Sequence, residues 1–229
     1  MFAHYVAFGD SISIDEYAGP ELGAASLLYR NRTDLWPEFE QLDLLSLNPR
    51  CSYQRLACNG ATLSGLWKQL LDASPLEGRV LVTVTVGGND VLCGLGQPDP
   101  QNPLRYSCGN FFGTEQQGNL TEWLESWHRW LDALKNLYRD AFLVVGNVYD
   151  PTDGTGILQS GAGLGARHGM LTTMNDLLRR VAAQRGHALA DLHAHFLGNA
   201  AELIYREIEP TRLGSSEIRR VFWRSLGVG

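Results

Sequence analysis

The chain has 229 residues, 44% of them hydrophobic, and a formal net charge of -6 from 19 Lys and Arg against 25 Asp and Glu. That length and apolar share support one sizeable core, so a single domain over residues 1–229 is expected. The basic residues are scattered rather than gathered on one face, which argues against a nucleic-acid surface and leaves small molecules as the expected partners. No apolar stretch approaches a membrane span and no basic-flanked export leader precedes the first apolar run, so the expected location is cytoplasmic.

Five short apolar runs, at 5–8, 53–57, 80–86, 142–148 and 188–192, alternate with helical patterns, as in a parallel sheet with crossover helices. The first, Tyr5-Val6-Ala7-Phe8, ends on Gly9-Asp10-Ser11-Ile12, so a serine stands where a buried strand gives way to a loop. The carboxyl ends of parallel strands form the reactive rim, and Ser11 is there presented to a ligand unless it only caps a helix. Asp10 is expected to tie down this turn, and Asp15 and Glu16 either reach the site or begin a solvated loop. Cys51 and Cys58 flank the second run and read as buried apolar fillers, and Asn59-Gly60-Ala61-Thr62 follows it.

The third run, Val80-Leu81-Val82-Thr83-Val84-Thr85-Val86, is almost wholly β-branched, as suits a central strand covered on both faces, and it ends on Gly87-Gly88-Asn89-Asp90. Residues 94–118, with Tyr106, Phe111 and Phe112, have the composition of a lid or substrate loop. Cys93 and Cys108 could bridge within that segment, but a chain without an export signal keeps such thiols reduced. A helix is predicted over 120–138, opened by Asn119 and Glu122 in capping-box spacing, with Trp123 and Trp127 facing the core.

Residues 150–169 form a second long connection, in which Asp150 and Asp153 read as turn formers. Its Gly161-Ala162-Gly163-Leu164-Gly165 has neither dinucleotide spacing nor a following Lys-Ser/Thr pair, which argues against a nucleotide site. Leu171, Met174, Leu177, Leu178 and Val181 mark a helix that stops near Gly186, and the last strand run leads into His193 and His195. A final helix carries Ile218, Val221 and Phe222, with Ser215 or Ser216 as its cap. The four cysteines lack paired short spacing and the two histidines lack a third ligand, so no metal and no organic cofactor is expected.

Three strand-to-loop junctions thus face one rim. Acyl transfer needs a nucleophile and donors aimed at the oxygen that becomes negative. Ser11 offers its hydroxyl and N–H, Gly60 an uncrowded N–H, and Asn89 a side-chain amide.

These three blocks in this order resemble the GDSL, or SGNH, hydrolases, a family of esterases, lipases, thioesterases and carbohydrate esterases. Gly9-Asp10-Ser11 matches the first block, Gly60-Ala61-Thr62 the second and Gly87-Gly88-Asn89-Asp90 the third. The resemblance implies a three-layer α/β/α fold with a flavodoxin-like parallel sheet of about five strands. It implies hydrolysis of carboxylic esters through an acyl-enzyme on Ser11, with Ser11, Gly60 and Asn89 holding the oxyanion.

The family's last block, Asp-x-x-His-Pro, fails to match. Aligned on Pro210, Arg206 stands at the aspartate and Glu209 at the histidine. A serine hydroxyl needs a positioned base, and three readings stand. In the first, His193 or His195 reaches Ser11 and Glu209 orients the imidazole; this is the arrangement expected. In the second, Glu209 is itself the base, with a pKa raised by burial. In the third, strong hydrolase activity is lost and the pocket binds a ligand.

Overall fold

A computed structural model describes residues 1–92 and 120–227. The expected lid, with Cys93, Cys108 and Asn119, lies outside the described residues.

The five apolar runs become strands β1 (His4–Gly9), β2 (Ser52–Arg55), β3 (Val80–Thr85), β4 (Ala141–Gly146) and β5 (Ala188–Ala190). All pair in parallel, in the order β2-β1-β3-β4-β5. Around them lie helices α1 (Ala24–Tyr29), α2 (Leu44–Leu47), α3 (Leu63–Asp72), α4 (Gly88–Leu92), α5 (Leu120–Leu137), α6 (Ala166–Arg185), α7 (Leu192–Phe196), α8 (Ala200–Leu203) and α9 (Arg212–Ser225). This is the flavodoxin-like order, in which connections leave β1 towards one edge and β3 towards the other. The crevice beyond that reversal is where open α/β sheets bind ligands, and Ser11 follows β1 directly.

Alternation along each strand sorts the two layers. Tyr5, Ala7, Leu81, Val144 and Ala190 point to one face, against α1, α7 and α9. Val6, Phe8, Val80, Val82, Val84, Leu143 and Val145 point to the other, against α3, α5 and α6. Every residue of β3 is buried, as its β-branched run predicts for a strand packed on both faces. Trp123, Trp127 and Trp130 of α5 are buried in that second layer, with successive rings 6.0 and 5.8 Å apart, edge to face.

Two local expectations are corrected. The cap of α9 is Thr211, whose hydroxyl accepts from the Gly214 N–H at 2.9 Å, while Ser215 and Ser216 lie buried within the helix. The first turn presses on α8: a Cβ on Gly214 would stand 2.1 Å from the Leu203 carbonyl oxygen. Cys58 is exposed rather than a core filler, because β2 is an edge strand that ends three residues earlier, whereas Cys51 is buried as expected. Among the described residues, no helix is long and apolar enough to cross a membrane.

Candidate active site

Ser11 opens a single helical turn, Ser11–Ser13, and is 7% exposed. Asp10 builds the turn. Its N–H donates to the Thr85 carbonyl at 2.9 Å, and its Oδ1 accepts from the Ile12 N–H at 3.1 Å and the Thr85 hydroxyl at 3.0 Å. The chain approaches β3 so closely here that only glycine fits before it: Gly9 has φ +136, and a Cβ would stand 2.3 Å from Thr85 Oγ1. The Gln69 amide then grips Gly9 on both sides, accepting from its N–H at 2.9 Å and donating to its carbonyl at 2.8 Å. Burial pushes the Asp10 carboxyl up to about 7 against these stabilising hydrogen bonds.

Asp90 sets the second and third junctions relative to each other. Its two oxygens accept from the Leu63 N–H at 3.2 and 3.1 Å, and Oδ1 also accepts from the Trp123 indole at 3.0 Å. The start of α3 is thereby tied to α4, and Asn89 meets Ala61, the residue after Gly60. Burial raises the Asp90 pKa to about 6. Gly60 takes a left-handed φ of +73, and nothing lies within 4 Å of where its side chain would stand. Asn89 donates one amide hydrogen to the Ala61 carbonyl at 3.1 Å, which leaves the other for a second acceptor. Ser11 and Asn89 open on one pocket, whose further wall is apolar, with Val91, Val148, Leu164 and Leu171.

The divergent last block forms a hairpin of β6 (Ile204–Tyr205) and β7 (Glu209–Pro210). Its tip is tight enough to hold Arg206 at φ +48 and Glu207 at φ +72, and the Tyr149 hydroxyl pins it by donating to the Ile208 carbonyl at 2.6 Å. Glu209 is delivered inward, 8% exposed, with its carboxylate against the Ser11 and Tyr17 hydroxyls. Among the described residues, its buried Oε2 accepts no hydrogen bond. Burial raises the Glu209 pKa; the Ser11 and Tyr17 hydroxyls pull it down, Glu16 raises it and Arg206 lowers it.

The histidines go elsewhere. Asp191 caps α7 by accepting from the Ala194 N–H at 3.1 Å, so His193 and His195 sit on a helical turn rather than at a strand end. The His193 N–H donates to Asn147 Oδ1 at 2.9 Å, and His195 Nε2 lies 2.7 Å from Glu217 Oε2 on α9. Neither lines the pocket at Ser11, and Glu209, expected to orient an imidazole, faces the serine itself. Sequence reasoning also passed over His168, whose Nε2 lies 2.8 Å from Asp150 Oδ2. Asp150 is a turn former as expected, accepting from the Thr152 and Gly154 N–H groups, and nothing in the 18-residue separation signals its second partner. Among the described residues, no group of three or more His, Cys, Asp or Glu could hold a metal ion.

With this geometry in place, the family description "GDSL-like Lipase/Acylhydrolase" matches residues 7–214. The chain belongs to the GDSL-like lipase/acylhydrolase family. That places it among ester hydrolases at the level of the family. A member of the lipolytic G-D-S-L family from Veillonella parvula superposes with a TM-score of 0.65 at 11% identity, covering 98% of this chain and 97% of that one. An acetylxylan esterase from Geobacillus stearothermophilus gives 0.63 at 15% identity, over 99% and 94%. An α/β hydrolase enzyme from the metagenome of Lake Arreo gives 0.61 at 19% identity, over 98% and 94%. At such identities these likenesses establish the shared fold. No curated protein matches the sequence.

Proposed function

We propose that this GDSL-family chain, one domain over residues 1–229, hydrolyses carboxylic esters of small molecules through an acyl-enzyme on Ser11, with Glu209 as the base. The observation that carries the reading is the placement of the Glu209 carboxylate against the Ser11 hydroxyl. A carboxylate in water is a weak base for a serine. Burial raises its pKa above the ordinary glutamate value, and an Oε2 without a donor is unquenched, so both features favour proton transfer.

In the first half-reaction the Ser11 proton passes to Glu209 as Oγ bonds to the ester carbon. The oxyanion is held by the Ser11 and Gly60 N–H groups and the second Asn89 amide hydrogen. The ester C–O bond then breaks, and Glu209 returns the proton to the departing alkoxide. Water repeats the cycle on the acyl-serine, releasing the acid. Each oxyanion donor contributes on the order of a hundredfold to a thousandfold in rate.

Fluorophosphonate labelling at neutral pH, followed by peptide mapping, tests the reading without a known substrate. Stoichiometric label on Ser11, lost in Glu209→Gln, is the expected result. No label on the folded protein, beside a reactive control hydrolase, would leave a family pocket that binds without attacking.

A further inference from the structure

The hairpin that carries Glu209 does not hold itself. Its strands β6 and β7 pair over two residues each, Ile204 with Pro210 and Tyr205 with Glu209, and Pro210 has no N–H to give. The turn between them places two consecutive non-glycine residues, Arg206 and Glu207, in the left-handed region, where a side chain costs backbone energy. Such a turn persists only where its surroundings fix it. The segment from 149 to 160 does so. The Tyr149 hydroxyl donates to the Ile208 carbonyl at 2.6 Å, the Gln159 amide to the Ile204 carbonyl at 3.3 Å, and the Ser160 N–H and hydroxyl to Glu207 Oε2, both at 3.2 Å.

We infer that Tyr149 is a positioning residue for the proposed ester hydrolysis, acting through Glu209, and that Glu207 supplies a weaker outer hold on the same hairpin. This rests on Glu209 being the base. The Ile208 carbonyl and the Glu209 N–H belong to one planar peptide unit, so fixing the carbonyl fixes the direction in which the Glu209 side chain leaves the backbone. Tyr149 can do this firmly. Its ring is 3% exposed and stacks on Phe196, 4.6 Å away at 11°, and so stays in place whether or not the hydroxyl is present. Hairpin and nucleophile are in contact: β7 packs on the turn Ser11–Ser13, and Tyr149, Ile208 and Ser11 line one pocket. A phenylalanine would wall that pocket equally well, so the hydroxyl is explained by the carbonyl it holds. Glu207 and Ser160 meet in an exposed hydrogen bond, where water competes, and a lesser effect follows.

The test is a pair of double-mutant cycles on p-nitrophenyl acetate, crossing Tyr149→Phe and Glu207→Ala with Glu209→Gln. Tyr149→Phe is expected to lower kcat by about tenfold and Glu207→Ala by about threefold, with KM within about twofold, because both half-reactions use Glu209 and slow together. In the Glu209→Gln background the same substitutions change the residual rate by less than about twofold. Losses that multiply in the double variants would make these residues general supports of the fold and overturn the inference, as would an unchanged kcat in both single variants. Glu207→Ala, on the outer side of the hairpin, decides the matter if Tyr149→Phe does not fold.

A second arm needs no turnover. The Ser11 hydroxyl lowers the Glu209 pKa, so Ser11→Ala raises the titration midpoint of the Glu209 carboxyl carbon followed by NMR. In the Tyr149→Phe background that rise is expected to shrink by about half or more, and an equal rise overturns the inference. Full rates in Glu209→Gln, or no rise in the parent, would instead remove Glu209 as the base, and the inference falls with it.

Discussion

The Glu209 carboxylate faces the Ser11 hydroxyl from the β6–β7 hairpin, and its Oε2 is buried without a hydrogen-bond partner among the described residues. If this contact supplies the base, Glu209→Gln keeps the shape and removes the proton acceptor, and ester turnover falls by about a hundredfold or more. His193→Ala and His195→Ala stay within about fivefold of wild type, since their imidazoles do not line the pocket. Initial rates on one activated ester measure all three. A large loss in either histidine variant with activity kept in Glu209→Gln would restore the histidine base.

The pH profile separates a glutamate from a histidine. Glu209 acts only when ionised, so kcat/KM rises with pH through its pKa in the free enzyme and then levels. Burial, the largest influence, places that limb above the ordinary glutamate value. Arg206 lowers the Glu209 pKa, so in Arg206→Ala the limb moves to higher pH, and in Glu16→Gln, which removes a neighbouring negative charge, it moves lower. Stopped-time assays across the acid range give the midpoints. A limb that ignores both substitutions would separate Glu209 from the rate.

The residues that carried the sequence reading are those whose position follows from strand alternation. Ser11, Gly60 and Asn89 each follow a β-rich run, and parallel strands bring such ends together whatever the intervening chain does. The hairpin that carries Glu209 leaves little trace in the sequence because β6 and β7 are two residues each, too short for any period to register, and its tip uses left-handed Arg206 and Glu207 rather than glycine. His193 and His195 lie off the pocket for a local reason. β5 ends at Ala190, and Asp191, three residues before Ala194, is a helix cap that could have been read from its position. Pairings such as His168 with Asp150 depend on tertiary approach and leave no trace in spacing.

Burial of two rim carboxyls makes stability fall as pH rises. The Asp10 pKa is raised from 3.8 to about 7 and that of Asp90 from 3.8 to about 6. Between the unfolded and folded values the native state binds more protons, so their contribution is full below the unfolded value and is lost as pH climbs through the folded one. Tm should therefore drop between about pH 4 and about pH 7. Asp10→Asn retains an acceptor for the Ile12 N–H and cannot ionise, so its Tm profile is flatter over that window. Thermal melts at matched ionic strength measure it, and parallel slopes for wild type and variant would refute the account.

Two glycines at the rim predict opposite phenotypes on substitution by alanine. At Gly9 the new Cβ would stand 2.3 Å from Thr85 Oγ1 and 2.4 Å from the Thr85 carbonyl oxygen, at φ +136. Neither β1 nor β3 can retreat, because their paired register runs from His4 with Val80 to Gly9 with Thr85. Gly9→Ala should therefore cost several kcal/mol, on the order of the larger single-residue losses, and show up in denaturant unfolding. At Gly60 the added methyl enters open space, and only the left-handed φ of +73 is penalised, by about 1 kcal/mol. Gly60→Ala should fold and yet turn over ester more slowly, because a methyl beside its N–H crowds the oxyanion that the N–H would bind. Full activity in a folded Gly60→Ala would mean that the oxyanion is held by Ser11 and Asn89 alone.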